Sequence, residues 1–172
     1  MNEAQEVYAK FVDELQVVDD LAQIVLKGHL VLEEIMSEAI ETFVHHGEKI
    51  QDARLQFSQK VKICRSMSLN EQDNPMWDLL QAINTLRNQM SHSLDRGKRE
   101  RKVDSLVNHF DREFPELKDN VYDGMSKEAS ICLMSISTSI GYLKQFEAEV
   151  VRFRSHVDVL DEMVNKGSAD ET

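Results

Sequence analysis

Glycine and proline are scarce in this chain, with 6 Gly and 2 Pro in 172 residues. Tight turns and hairpins depend on both, so an all-β or Rossmann-like chain is disfavoured and long helices are expected. Cysteine is equally sparse. Cys64 and Cys132 lie far apart without metal-ligand spacing, which argues against a disulfide framework or a zinc site. They read as small core hydrophobes of a reducing compartment. Long apolar runs are missing too. The longest charge-free stretch, Ala129–Leu143, is too short to span a bilayer and is rich in Ser and Thr. Glu3, Glu6, Asp13, Glu14, Asp19 and Asp20 interrupt the first twenty residues, so no secretory leader is expected there. A cytoplasmic protein without membrane contact is the expectation. Positive charge is in deficit: 20 Lys+Arg face 31 Asp+Glu, for a formal net charge of −11. By composition alone this is not a general nucleic-acid binder.

What is present is ordinary for a folded chain, with 41% hydrophobic and 30% charged residues. The length suits one domain, expected over residues 1–165, with 166–172 as a polar tail. Apolar residues recur at three- and four-residue steps, the signature of amphipathic helices. A short helix is expected over 3–16. A longer one runs through Leu21, Val25, Leu32, Met36, Ile40 and Phe43, ending at His45-His46-Gly47 with the glycine as C-cap. A third helix is expected over about 52–68, followed by a polar connection. Asn74-Pro75 then reads as an N-cap with proline at the first helical position, opening a fourth helix that reaches about Ser91. Residues 103–110 suggest a short helix and 114–124 an irregular stretch. From about Ser126 a helical pattern scarcely stops, and uninterrupted it would measure about 55 Å. Gly141 is its one expected bend. Core packing accounts for only the first half of such a helix, so the rest projects or meets a second subunit.

The chemistry-bearing stretch is Asn84-Thr85-Leu86-Arg87-Asn88-Gln89-Met90-Ser91-His92. On a helix, Leu79, Ile83, Leu86 and Met90 fall within about 60° of one another, while Asn84, Arg87, Asn88, Ser91 and His92 fill an adjacent strip about 140° wide. A merely solvated face would carry Glu and Lys. Here neutral hydrogen-bonding groups surround one Arg and one His. Guanidinium grips phosphate through paired hydrogen bonds, and imidazole exchanges protons near neutrality. Together they could cleave RNA without metal, His92 deprotonating a 2′-hydroxyl and Arg87 stabilising the charged phosphorane. Spacing alone favours the blander reading, a surface arginine and a helix-ending histidine.

The segment Leu86–His92 (LRNQMSH) resembles the signature of the HEPN superfamily, an Arg and a His four to six residues apart, often with Asn after the Arg. Gly28–Ile40 (GHLVLEEIMSEAI) looks like that family's long helix, and Phe57–Leu69 (FSQKVKICRSMSL) like the helix preceding its motif helix. The resemblance spans roughly residues 15–150. It implies an all-α HEPN-like bundle with a long C-terminal helix, a homodimer with motif helices facing across a cleft, and a metal-independent endoribonuclease of toxin or antiphage-defence type. Arg87 and His92 would be the catalytic pair, with Asn88, Ser91 and Asn84 in support. RNA would be the substrate, an antitoxin or regulatory protein a further partner, and no cofactor is implied. Relatives that keep the fold without cleaving RNA, such as mannitol operon repressor proteins, leave a regulatory or protein-interaction role as the alternative. One departure is plain. In HEPN toxins paired with nucleotidyltransferase antitoxins a Tyr lies two residues after the His, where this chain has Leu94.

Two further features bear on that reading. Glu33 or Glu34 could hold the Arg87 guanidinium, against the blander alternative of acids on a solvated face. Within Asp95–Lys102, Arg96, Lys98, Arg99, Arg101 and Lys102 oppose two acids, giving +3 locally and leaving −14 elsewhere. This basic cluster, an RNA-binding candidate or simply an exposed loop, can draw phosphate despite the acidic whole. His29, His109 and His156 show no convergent partners in the sequence, and no metal site is expected.

Overall fold

The computed structural model describes residues 20–69, 72–92 and 96–166, and for His92, Arg96 and Lys166 the backbone alone. The helix expected at 3–16 lies outside these residues, as do Asp95 and the end of the tail. The described residues are all-helical: α1 Asp20–Phe43, α2 Gly47–Gln51, α3 Phe57–Met67, α4 Met76–His92, α5 Arg96–Glu113 and α6 Lys127–Lys166.

Each helix has a local cause. The α4 start follows the Asn-Pro signal: Asn74 Oδ1 accepts the Met76 N–H at 2.9 Å, and Pro75 takes the turn before it, where its missing N–H costs nothing. The α6 start is set by Ser126, whose Oγ accepts the Ala129 N–H at 3.1 Å. Three boundaries differ from the sequence reading. Gly47 does not cap α1. It opens α2, where a Cβ would lie 2.7 Å from the carbonyl oxygen of Glu41, so it is chosen for close backbone approach. The helix expected from residue 52 begins at Phe57. Arg54 enters the left-handed region (φ 47), breaking the chain between α2 and α3, and Gln59 Oε1 accepts the Gln56 N–H at 2.8 Å to fix the new start. The short helix expected at 103–110 extends over 96–113 and takes in most of the basic cluster, because Val103, Leu106 and Phe110 bury one stripe of it.

α6 forms the spine. It runs parallel to α1, as Gly28 meets Ile136, Glu38 meets Lys144 and Phe43 stacks on Phe153. α4 runs the opposite way: Trp77, near its start, packs edge-on against Tyr142 and Phe146 at ring separations of 5.2 and 5.5 Å. α3 lies along α1, with Phe57, Lys60 and Cys64 reaching His29, Glu33 and Met36. One apolar core joins α1, α3, α4, α5 and α6. Cys64 and Cys132 are free and buried, and burial pushes both thiols up to about 12, so they behave as inert core residues. No helix among the described residues is long and apolar enough to cross a membrane.

The α1–α6 approach depends on small residues. A Cβ built on Gly28 would sit 2.5–3.0 Å from three side-chain carbons of buried Ile136. Gly28→Ala is therefore expected to destabilise the fold by about 1–3 kcal/mol of overpacking, outweighing the roughly 1 kcal/mol of helix propensity gained. Ile136→Ala in the same chain should recover part of that loss, read as a urea midpoint above that expected from adding the two single effects.

Candidate functional site

α4 presents the polar strip beside its buried seam. Leu79, Leu80, Ile83 and Leu86 are buried, Asn84 and Arg87 are half-buried, and Asn88 and Ser91 are exposed. Arg87 Nη1 donates to Asn88 Oδ1 at 3.1 Å, so the neighbouring amide orients the guanidinium across the ridge. No carboxylate pairs with Arg87 among the described residues. His92 ends α4 at the same end of the helix, and its side chain lies outside the described part.

The proposed acid clamp is not formed. Glu33 Oε1 binds Lys60 Nζ at 2.9 Å, and Glu33 Oε2 lies 3.8 Å from His29 Nδ1. Lys60 is mostly buried on the facing α3, which captures the carboxylate before Arg87 can. Glu34 is exposed one residue around the helix and makes no described contact with Arg87.

The residue that sequence reasoning missed is His29. It is only 4% exposed, stacks on Phe57 at 4.1 Å between ring centres, and donates from Nε2 to Asn84 Oδ1 at 3.1 Å. Asn84, predicted as a supporting residue, is thus held from α1 one helical turn before Arg87. Burial pushes the His29 imidazole below its ordinary 6.5. The Asn84 hydrogen bond opposes that shift, the Arg87 charge adds to it, and Glu33 and Lys60 act in opposite senses more weakly. A signal was available: His29 lies on the stripe of Val25, Gly28 and Leu32 that the periodicity assigns to the core, and a buried imidazole requires a polar partner. Which partner depends on how α1 crosses α4.

With the folded pKa below 6.5, the unfolded chain takes up this proton first as pH falls. His29 therefore costs nothing above 6.5 and destabilises the fold progressively below it, with a limiting slope of about 1.4 kcal/mol per pH unit. The urea midpoint of the wild type should fall between pH 7.5 and 5.5 by more than that of His29→Gln. Equal falls would contradict the assignment.

The basic cluster continues directly beyond the ridge. Lys98, Arg101 and Lys102 are exposed on the first turns of α5, while Arg99 is half-buried and its charge reaches Cys132 on α6. The first turn of α5 contains no acid. Cations at a helix N-terminus oppose the helix dipole and cost stability, whereas an anion there is favoured. Among the described residues no group of three His, Cys, Asp or Glu is arranged to hold a metal ion. Compared with protein families, curated proteins and solved structures, the chain finds no match.

Proposed function

We propose that the chain is a metal-independent endoribonuclease of HEPN type, serving in toxin or antiphage-defence biology. Arg87 and His92 form its catalytic pair, and the ridges of two copies face each other across the substrate cleft. The observation that carries this reading is the setting of Arg87. It is half exposed, oriented by Asn88 and unpaired with any described carboxylate, at the end of α4 beyond which α5 opens on Arg96–Lys102. An anionic backbone would neutralise both features at once.

In the reaction His92 removes the proton of a ribose 2′-hydroxyl. The 2′-oxygen attacks the adjacent phosphorus and the bond to the 5′-oxygen breaks, the leaving oxygen taking up a proton. Arg87 stabilises the phosphorane through two N–H donors. Asn84, fixed by His29, keeps the ridge polar and rigid, and Ser91 offers a further donor. Lys98, Arg99, Arg101 and Lys102 hold the flanking phosphates, and an antitoxin or regulatory partner would act by covering this face.

The strongly acidic remainder of the chain favours a second reading, a non-catalytic regulatory or protein-interaction module of the same architecture. Expression separates the two. A ribonuclease toxin arrests growth, and His92→Ala relieves the arrest. If both chains are equally harmless and purified protein leaves RNA intact in chelator, the interaction module stands instead.

A further inference from the structure

α6 continues well past the core that explains its first half. Its buried residues end at Val150, yet the helix runs on to Lys166. The apolar spacing does not stop with the core. Leu143, Phe146 and Val150 are buried at steps of three and four, and Phe153, Val157, Leu160 and Val164 continue the same alternation. This is one unbroken seven-residue repeat, the pattern of a helix that meets another helix along a seam. Phe153 still touches the body, stacking on Phe43, but Leu160 is 61% and Val164 72% exposed. A solvated helix of this length gains little from propensity alone, so its stability calls for a cover.

Charge says what covers it. Arg152 and Arg154 sit at the body end of the overhang, and Asp158, Asp161 and Glu162 toward its tip. We propose that two copies of the chain associate through this overhang, their α6 helices antiparallel, so that the basic stretch of each lies along the acidic stretch of the other. In that register Phe153 packs with the partner's Val164 and Val157 with the partner's Leu160. Arg154, which within its own chain bridges His45 Nδ1 at 2.7 Å and Asp158 at 2.9 Å, gains the partner's Asp161 beside the seam. An antiparallel pair places the two bodies at opposite ends, so the facing of two catalytic ridges involves a different pair of copies, and the two contacts together build an assembly larger than a dimer.

The Arg87 end of α4 lies beside the first turns of α6, so this contact is separate from the proposed catalytic ridge and does not rest on the ribonuclease reading.

The test is the mass of the full-length chain in solution at micromolar concentration, by light scattering or sedimentation. The expected result is an associated wild type whose mass is halved by Leu160→Glu together with Val164→Glu, with helical circular dichroism retained. Arg154→Asp should weaken association and Asp161→Arg in the same chain restore it. For orientation, a mixture of Phe153→Cys and Val164→Cys chains should cross-link, while Val164→Cys alone should not; the native cysteines are buried and do not compete. A monomeric wild type, an unchanged mass in the double glutamate variant, or a disulfide formed by Val164→Cys alone would each overturn the proposal. His92→Ala should leave the mass unchanged, which keeps this result apart from loss of cleavage.

Discussion

His92→Ala is expected to lower RNA cleavage about 10²–10⁴-fold, the usual loss when a positioned acid–base group is removed. Arg87→Ala should cost about 10²–10³-fold through the unstabilised phosphorane. Arg87→Lys should recover little, because an ammonium cannot make the paired hydrogen bonds of the guanidinium or receive the same orientation from Asn88. Both positions lie at the C-terminal end of α4, where Arg87 makes no contact on which the core depends. Thermal melting should therefore change little while cleavage collapses. A matching loss of melting temperature and cleavage would instead assign these residues to the fold. Variants of Lys98, Arg101 and Lys102 should behave differently, weakening RNA binding and reducing its salt dependence without changing the bond cleaved.

Trp77→Ala should be the most damaging single change to stability. The indole is fully buried where α4 crosses α6, edge-on to Tyr142 and Phe146. Truncating a buried aromatic of this kind costs about 3–5 kcal/mol, a large share of the 5–15 kcal/mol by which a domain is stable. Urea denaturation should show a much lower midpoint or no folded baseline. Trp77→Phe, which retains an aromatic edge but leaves a smaller void, should lose roughly half as much. Indifference to Trp77→Ala would mean that α4 does not cross α6 in this way.

The architecture was largely legible because amphipathic helices announce themselves locally. The 25–28–32–36–40 stripe of α1, the Asn74-Pro75 start of α4 and the persistent repeat of α6 each depend on residues a few positions apart. The break at Arg54 was hidden, since a left-handed non-glycine residue leaves no compositional mark. The length of α5 was hidden for another reason. Its first turns are charged all along, and only the burial of Val103, Leu106 and Phe110 under neighbouring helices makes them helical. At the candidate site the strip on α4 could be drawn from periodicity, but its supports are tertiary. Glu33 binds Lys60 rather than Arg87, and His29 holds Asn84, because α1 meets both α3 and α4 at that level. No sequence interval encodes those crossings.

Cleavage of RNA by Arg87 and His92 through attack of its own 2′-hydroxyl would leave a diagnostic pair of ends. End analysis of RNA incubated with the purified chain in excess chelator tests it most directly. Fragments carrying 2′,3′-cyclic phosphate and 5′-hydroxyl ends are expected, absent when His92 is alanine. Intact RNA, or fragments ending in a 3′-hydroxyl, would contradict it.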